Sequence, residues 1–218
     1  MPKFGGGGMK ATKKQFEDAA LYCAIMEEIK LRHGCVAALM EEATPIEPLF
    51  RREFCFLQFR MMCELIALGC LVAHGDIKAT QTREIRTLWS AKEIIEKLEG
   101  LHPDFFPTPF LPQTSSHLGF GPDHALTKDD LLTLYGKSGG VLHRGTRAKL
   151  LSKKIPKQTN FVDIANWANG LHGLLQNHYV LMLGGQTVFI CELGGGPRGE
   201  VKTQIGVAAG PSKRVPTG

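Results

Sequence analysis

The chain has 218 residues, 43% of them hydrophobic and 22% charged, with a formal net charge of +5. That size suits one well-filled domain, or one with a small appendage, and the balance is that of an ordinary globular protein. The modest positive charge admits nucleic acid or phosphate as a partner without requiring either, and the six cysteines, with no C-x-x-C pair and no histidine close enough to complete a site, exclude a zinc motif and read as buried thiols in a reducing compartment.

Residues 1–11 carry four consecutive glycines and no apolar signal core. They read as a flexible leader on a cytoplasmic protein. Over 12–43 the apolar residues Phe16, Ala19, Ala20, Cys23, Met26, Cys35, Leu39 and Met40 recur at helical spacing, so an amphipathic helix is expected, bent or split at Gly34 and stopped at Thr44-Pro45. A second helix follows from Pro48 or Leu49 to His74. Sixteen of the twenty residues from Phe54 to Ala73 are apolar, which marks this as the core helix that the others wrap. Its length would also cross a bilayer, but Arg60 and Glu64 sit inside it and charges there cost several kcal/mol, so no membrane is expected. Arg60 and Glu64 stand one turn apart on one face and need partners beyond each other, either in a structural network or at a functional site.

A third helical region spans 79–99, with Ile85, Leu88, Trp89, Ile94, Ile95 and Leu98 on its buried side and a capping box at Ser90-Glu93 that can restart it. Residues 101–126 hold too many prolines and glycines for helix, yet carry Phe105, Phe106, Phe110, Leu111 and Phe120, so the stretch is expected to be an ordered loop packed on the bundle. Thr127 caps a helix to His143, and Asn160 caps another from Phe161 to His178. Segments 179–183, 187–193 and 200–208 read as strands of a three-stranded antiparallel meander, with Val201, Thr203, Ile205 and Val207 on one side. The expectation is an α+β chain: a mainly helical antiparallel bundle over 12–178, a meander over 179–209 packed against it, and a disordered tail at 210–218.

The chemistry concentrates in Leu134–Gly145, LYGKSGGVLHRG. Gly136-Lys137-Ser138 lacks the first glycine of a phosphate-binding loop, since position 131 is Leu and a helix precedes it. What remains is a helix end where Tyr135, Lys137, His143 and Arg144 gather beside glycines. Beyond it Arg144, Arg147, Lys149, Lys153, Lys154 and Lys157 form a run without an acidic residue, the best candidate for a phosphate-contacting surface. A bundle of long antiparallel helices closed by a helix with a basic residue and a histidine is similar to the HEPN domains of prokaryotic defence and toxin systems. Many of those are metal-independent RNases, typically dimeric, with an Arg, four to six residues, and a His. The matching positions are Lys137 and His143, with Lys where the family uses Arg and Ser138 where Asn, Asp or His is commoner.

The resemblance implies RNA as substrate, a homodimer and no cofactor or metal. His143 would then act as general base or acid on a ribose 2′-hydroxyl, and Lys137 would offset phosphate charge. Arg60 and Glu64 would line the same groove and orient the histidine. In the plainer reading His143 closes a helix C-terminus, where the dipole favours a partly positive ring. Two other functions stay open: a non-catalytic interaction or dimerisation module, and a small-molecule binder with the Arg60-Glu64 pair at the base of a pocket. His102, His117 and His124 match no metal motif and are expected to be solvated. Trp89 and Trp167 are expected in the core, and His172 and His178 have no evident partner.

Overall fold

Apolar residues at every third and fourth position give a helix one committed face, and α2 (Pro48–Ala73), which carries the long apolar run, has three sides of neighbours to satisfy. In the computed structural model, which describes residues 12–41, 45–75, 80, 82–111, 124–143, 161–182 and 187–207, Cys55, Phe56, Phe59, Met62, Cys63, Ile66, Ala67, Cys70 and Ala73 of α2 are all buried. Helix α1 (Lys13–Met40) runs back along it, closed at its start by a capping box between Thr12 and Gln15. Gly69 lets the two helices approach, since a Cβ there would stand 3.2 Å from both Tyr22 and Met26. Helix α1 is continuous through Gly34, which has open space around it and no reason to bend. Its buried face is Ala19, Tyr22, Met26, Ile29 and Val36, whereas Phe16 and Cys35 are exposed.

The region expected as a third helix is two pieces, α3 (Arg83–Arg86) and α4 (Ala91–Leu101). Thr82 caps α3 through the Ile85 N–H; Ser90 precedes α4 without capping it through its side chain. Trp89, in the break between them, is 66% exposed and not a core residue. Helix α5 (Lys128–Leu142) starts at a capping box between Thr127 and Asp130, and α6 (Val162–Leu175) begins after Phe161, with Asn160 outside the described residues.

The sheet has four strands rather than three. Two residues of the aromatic loop, β1 (Thr108–Pro109), pair antiparallel with β2 (Asn177–Leu181), followed by β3 (Thr187–Glu192) and β4 (Lys202–Val207) in the order β1-β2-β3-β4. Strand pairing puts His178 opposite Cys191 and Cys191 opposite Thr203, and Val180 opposite Phe189 and Phe189 opposite Ile205. These rows form the face against α1, where the Thr203 hydroxyl donates to the Ala19 carbonyl and Glu27 accepts from the Val201 N–H. The expected alternation of Val201, Thr203 and Ile205 holds. Between β3 and β4 the chain turns at Gly199, whose φ of +83° favours glycine. The three C-terminal strands begin at residue 177, and their buried residues share one core cluster with α1, α2, α4, α5 and α6, so bundle and sheet are built around one core.

The aromatic loop is anchored at both described ends. Phe105 is buried, and the Phe110 N–H donates to the Asn177 carbonyl. At the other end the Leu126 N–H donates to the Gly170 carbonyl, and a Cβ on Gly173 would meet the Ala125 backbone at 3.3 Å. Residues 112–123, with His117 and Phe120, lie outside the described residues, as do the leader, the basic run 144–157 and the tail.

Candidate nucleic-acid interface

Two charged side chains in an apolar helix need partners from a neighbour, and α5 supplies them. Arg60 Nε lies 3.2 Å from Glu64 Oε1, and an Arg60 terminal nitrogen donates to the Tyr135 hydroxyl at 2.9 Å while the guanidinium stacks 4.5 Å above the Tyr135 ring. Ser90 and Glu64 also stand against that hydroxyl. Burial raises the Tyr135 phenol above its ordinary value, with Ser90 and Arg60 acting against it. Arg60 also reaches over Gly139, where a Cβ would come within 3.2 Å of its Nη1. The pair thus fixes α5 on α2, and the Arg-then-Glu order suits this because the guanidinium serves the neighbouring helix as well as its own.

Lys137 has different partners. Its ammonium is 3.2 Å from Asp163 on α6 and stands 5.8 Å and 5.7 Å from the centroids of the Phe56 and Trp167 rings, within cation–π range. Arg52 binds the same carboxylate through both terminal nitrogens, at 2.7 and 2.5 Å, and lies 5.0 Å over Phe56. The paired Arg52 guanidinium holds the Asp163 carboxyl down at about 2. Asp163 also sits in the first turn of α6, where the helix dipole favours an anion. Two cations and two aromatic rings therefore converge on one carboxylate where α2, α5 and α6 meet. Trp167 is half-buried there, with Lys137 over its ring.

His143 ends α5. Its N–H donates to the Gly139 carbonyl at 3.1 Å, and its side chain is exposed. It stands six positions after Lys137, which on an α-helix is about 120° around the axis and about 9 Å along it. The two therefore do not share a face. Ser138 is fully buried and donates to the Leu134 carbonyl at 2.8 Å, so it is a core residue. Arg144, Arg147, Lys149, Lys153, Lys154 and Lys157 lie outside the described residues, but the chain departs for them from His143 and re-enters at Phe161, two residues before Asp163.

The histidines expected to be solvated or idle are mostly structural. His102 is buried, accepts the Asp104 N–H at 3.2 Å, and meets His74 edge to face with ring centroids 5.2 Å apart. His178 is fully buried: its Nδ1–H donates to the Leu175 carbonyl at 2.8 Å, and its Nε2 accepts from the Tyr22 hydroxyl at 2.7 Å. His172 meets His33 with the rings tilted 34° and centroids 5.4 Å apart. Burial pushes the Cys55 thiol up to about 11 and Cys70 to about 12, and raises Cys63 and Cys191 as well, so these four are inert core groups. Among the described residues no three His, Cys, Asp or Glu side chains converge as metal ligands would.

Comparison with protein families, curated proteins and solved structures yields no match. Function is then a matter of this geometry. Arg52 and Asp163 are the members of the site that sequence reasoning missed, whereas Tyr135 was already grouped with Lys137 at this helix end. Asp163 lies 111 residues from Arg52 and 26 from Lys137, and as a carboxylate in a first helical turn it looks locally like a dipole partner and nothing more.

Proposed function

We propose that the protein binds RNA through the face formed by the second half of α5, the start of α6 and the basic segment between them. The observation that carries this reading is the placement of Arg52 over Phe56, and of Lys137 over Phe56 and Trp167, at the point where the chain leaves for, and returns from, a stretch of six cations. Cations along a segment neutralise successive phosphates, and an aromatic ring beside them gives an unpaired base a stacking surface without demanding a sequence. Asp163 holds the two cations in place, so they are fixed before the ligand arrives.

Binding is favoured over cleavage. A metal-independent RNase of the expected kind needs Lys137 and His143 on one phosphate, and here they point about 120° apart around α5. The test is titration of a fluorescent single-stranded RNA across a salt series. Affinity is expected to fall linearly in the logarithm of salt, and Lys153→Ala with Lys154→Ala should reduce the slope by roughly 1.4, about 0.7 for each phosphate no longer neutralised. Trp167→Leu should weaken binding by roughly five- to a hundredfold, the value of one stacked base. Salt-independent association, or equal affinity in all variants, would overturn the reading. Incubation in chelator with His143→Ala alongside reports any cleavage separately.

A second reading is supported by α2 itself. Along α2 Phe50, Phe54, Leu57 and Met61 stand at spacings of three and four, with Phe50 47%, Phe54 45% and Leu57 38% exposed and Met61 half-buried. Of the described helices only α2 is long and apolar enough to cross a membrane, but 56% of its most apolar window is buried inside the fold, and lipid on all sides would require the bundle to come apart. We therefore take a second copy of the chain as the partner for this stripe. Sedimentation velocity should show a dimer, and Leu57→Glu, which would bury an unpaired carboxylate in the contact, should weaken it about a hundredfold or more. A monomer at all concentrations would refute this.

A further inference from the structure

His74 closes α2, and its side chain is fully buried. Its Nδ1 lies 2.7 Å from the Cys70 carbonyl, in the last turn of its own helix, and its Nε2 lies 3.1 Å from the carbonyl of Leu181, the last residue of β2. A carbonyl oxygen only accepts, so both ring nitrogens must donate, and an imidazole with a hydrogen on each nitrogen is a cation. A neutral ring in this place would set a nitrogen lone pair against an oxygen lone pair at one of the two contacts. Burial works against the charge, whereas two acceptors and the negative end of a 26-residue helix work for it. His178, also fully buried, shows the contrast: one of its nitrogens faces a carbonyl and the other a hydroxyl that donates, which suits a neutral ring.

We infer that His74 is a proton-operated latch: as a buried imidazolium it ties the end of α2 to β2, and loss of its proton as the pH rises releases Leu181. The Leu181 contact is the one given up, because it is the longer of the two and the Cys70 carbonyl belongs to the same helix end. Among the described residues, each neighbouring element brings one titratable or charged group to this place. On α4 the His102 ring meets His74 edge to face, centroids 5.2 Å apart, and its Nδ1 already accepts the Asp104 N–H, so that nitrogen has no place for a second proton. On α2 burial pushes the Cys70 thiol up to about 12, which keeps it uncharged. From α1, Lys14 and Asp18 stand beside Gly75 as an ion pair 3.1 Å apart, and β2 carries neutral His178 three residues before Leu181. Strand β2 is also where β1 of the aromatic loop pairs, and Phe105, just ahead of β1, meets the His74 ring with centroids 6.5 Å apart. The latch thus controls how firmly the aromatic loop and the sheet are held to the bundle.

The experiment follows the ring nitrogens of the full chain, labelled with nitrogen-15, by magnetic resonance as the pH is raised. At about pH 7.5 a histidine of ordinary pKa is roughly nine-tenths neutral, yet both His74 nitrogens are expected to carry hydrogens there. At higher pH the Leu181 and Met182 amide resonances should shift with the same midpoint as the ring. Stability gives a second readout. The folded chain keeps a proton that the unfolded chain releases near pH 6.5, so stability falls as the pH rises: the unfolding constant should grow severalfold from about pH 7 to about 8, with about tenfold per unit as the ceiling for one proton. His74→Phe should abolish this rise. The window lies above the one in which His178 titrates and below the range of the thiols. A bare His74 nitrogen at about pH 7.5, Leu181 and Met182 amides that ignore the ring titration, or an equal rise in His74→Phe would each overturn the inference. Should His74→Phe fail to fold, the resonances of the unaltered chain decide alone. None of these outcomes depends on RNA binding at the α5–α6 face.

Discussion

Acidification from pH 6.5 toward about 4 is expected to remove about 3 kcal/mol of folding free energy through His178 alone. The ring is fully buried with Nδ1–H on the Leu175 carbonyl and Nε2 facing the Tyr22 hydroxyl, and burial pulls its pKa down from 6.5 to about 4. In the fold it is neutral; in the unfolded chain it takes up a proton below 6.5. The stabilisation is therefore complete above 6.5, declines by up to about 1.4 kcal/mol per pH unit as the pH falls, and is gone near 4, after which this residue contributes nothing further. Urea unfolding at a series of pH values measures it. Asp163, held down at about 2, acts in a separate and lower window: its contribution is present above 3.8 and lost only as the pH falls toward about 2.

Two variants isolate the histidine. Tyr22→Phe keeps the ring that packs edge-on against Phe189 but strands the Nε2 lone pair, at a cost of about 1–3 kcal/mol near neutral pH. His178→Phe removes the titrating group, and the loss between pH 6.5 and about 4 should disappear with it. If the decline persists in His178→Phe, the acid sensitivity belongs to another group.

This pair was invisible to local reasoning. Tyr22 and His178 are 156 residues apart, and a histidine at the junction of a helix and a strand carries no periodic signal. What sequence conveyed well was whatever depends on short range. The dominance of α2 follows from sixteen apolar residues in twenty, and the start of α5 from Thr127 and its reciprocal contact with Asp130. Continuous α1 and exposed Trp89 went against expectation for opposite reasons. Gly34 lowers helix propensity without forcing a bend when both flanking turns are packed, and Trp89 falls in a break between α3 and α4, where helical spacing no longer assigns a face. Strand β1 is two residues long and exists only because the edge of β2 is there to pair with it. At the candidate interface the Arg60-Glu64 pair stood out as charges in an apolar helix, whereas Asp163, which gathers Lys137 and Arg52, has no such contrast with its surroundings.

Truncating Phe56 is expected to be the most damaging single change at the junction of core and interface. Phe56 and Phe59 are fully buried and meet edge to face, with centroids 5.8 Å apart, while Arg52 and Lys137 stand 5.0 and 5.8 Å from the centroid of the Phe56 ring. Phe56→Ala should cost about 3–5 kcal/mol by leaving a cavity between α2 and its neighbours. That is a large share of the roughly 5–15 kcal/mol that holds a typical domain folded. Denaturant unfolding reports the loss as a lower midpoint at constant slope. Phe56→Leu separates the two roles of the ring: it keeps most of the volume, so stability falls much less, but it removes the aromatic face beneath both cations. Those cation–π pairs are worth about 0.5–1 kcal/mol each at a partly exposed site, so RNA affinity in Phe56→Leu should fall roughly two- to fivefold if Arg52 and Lys137 must be held there to meet phosphate. Unchanged RNA affinity in a folded Phe56→Leu variant would mean that Asp163, with Trp167 beside Lys137, positions the two cations and that the Phe56 ring serves only the core.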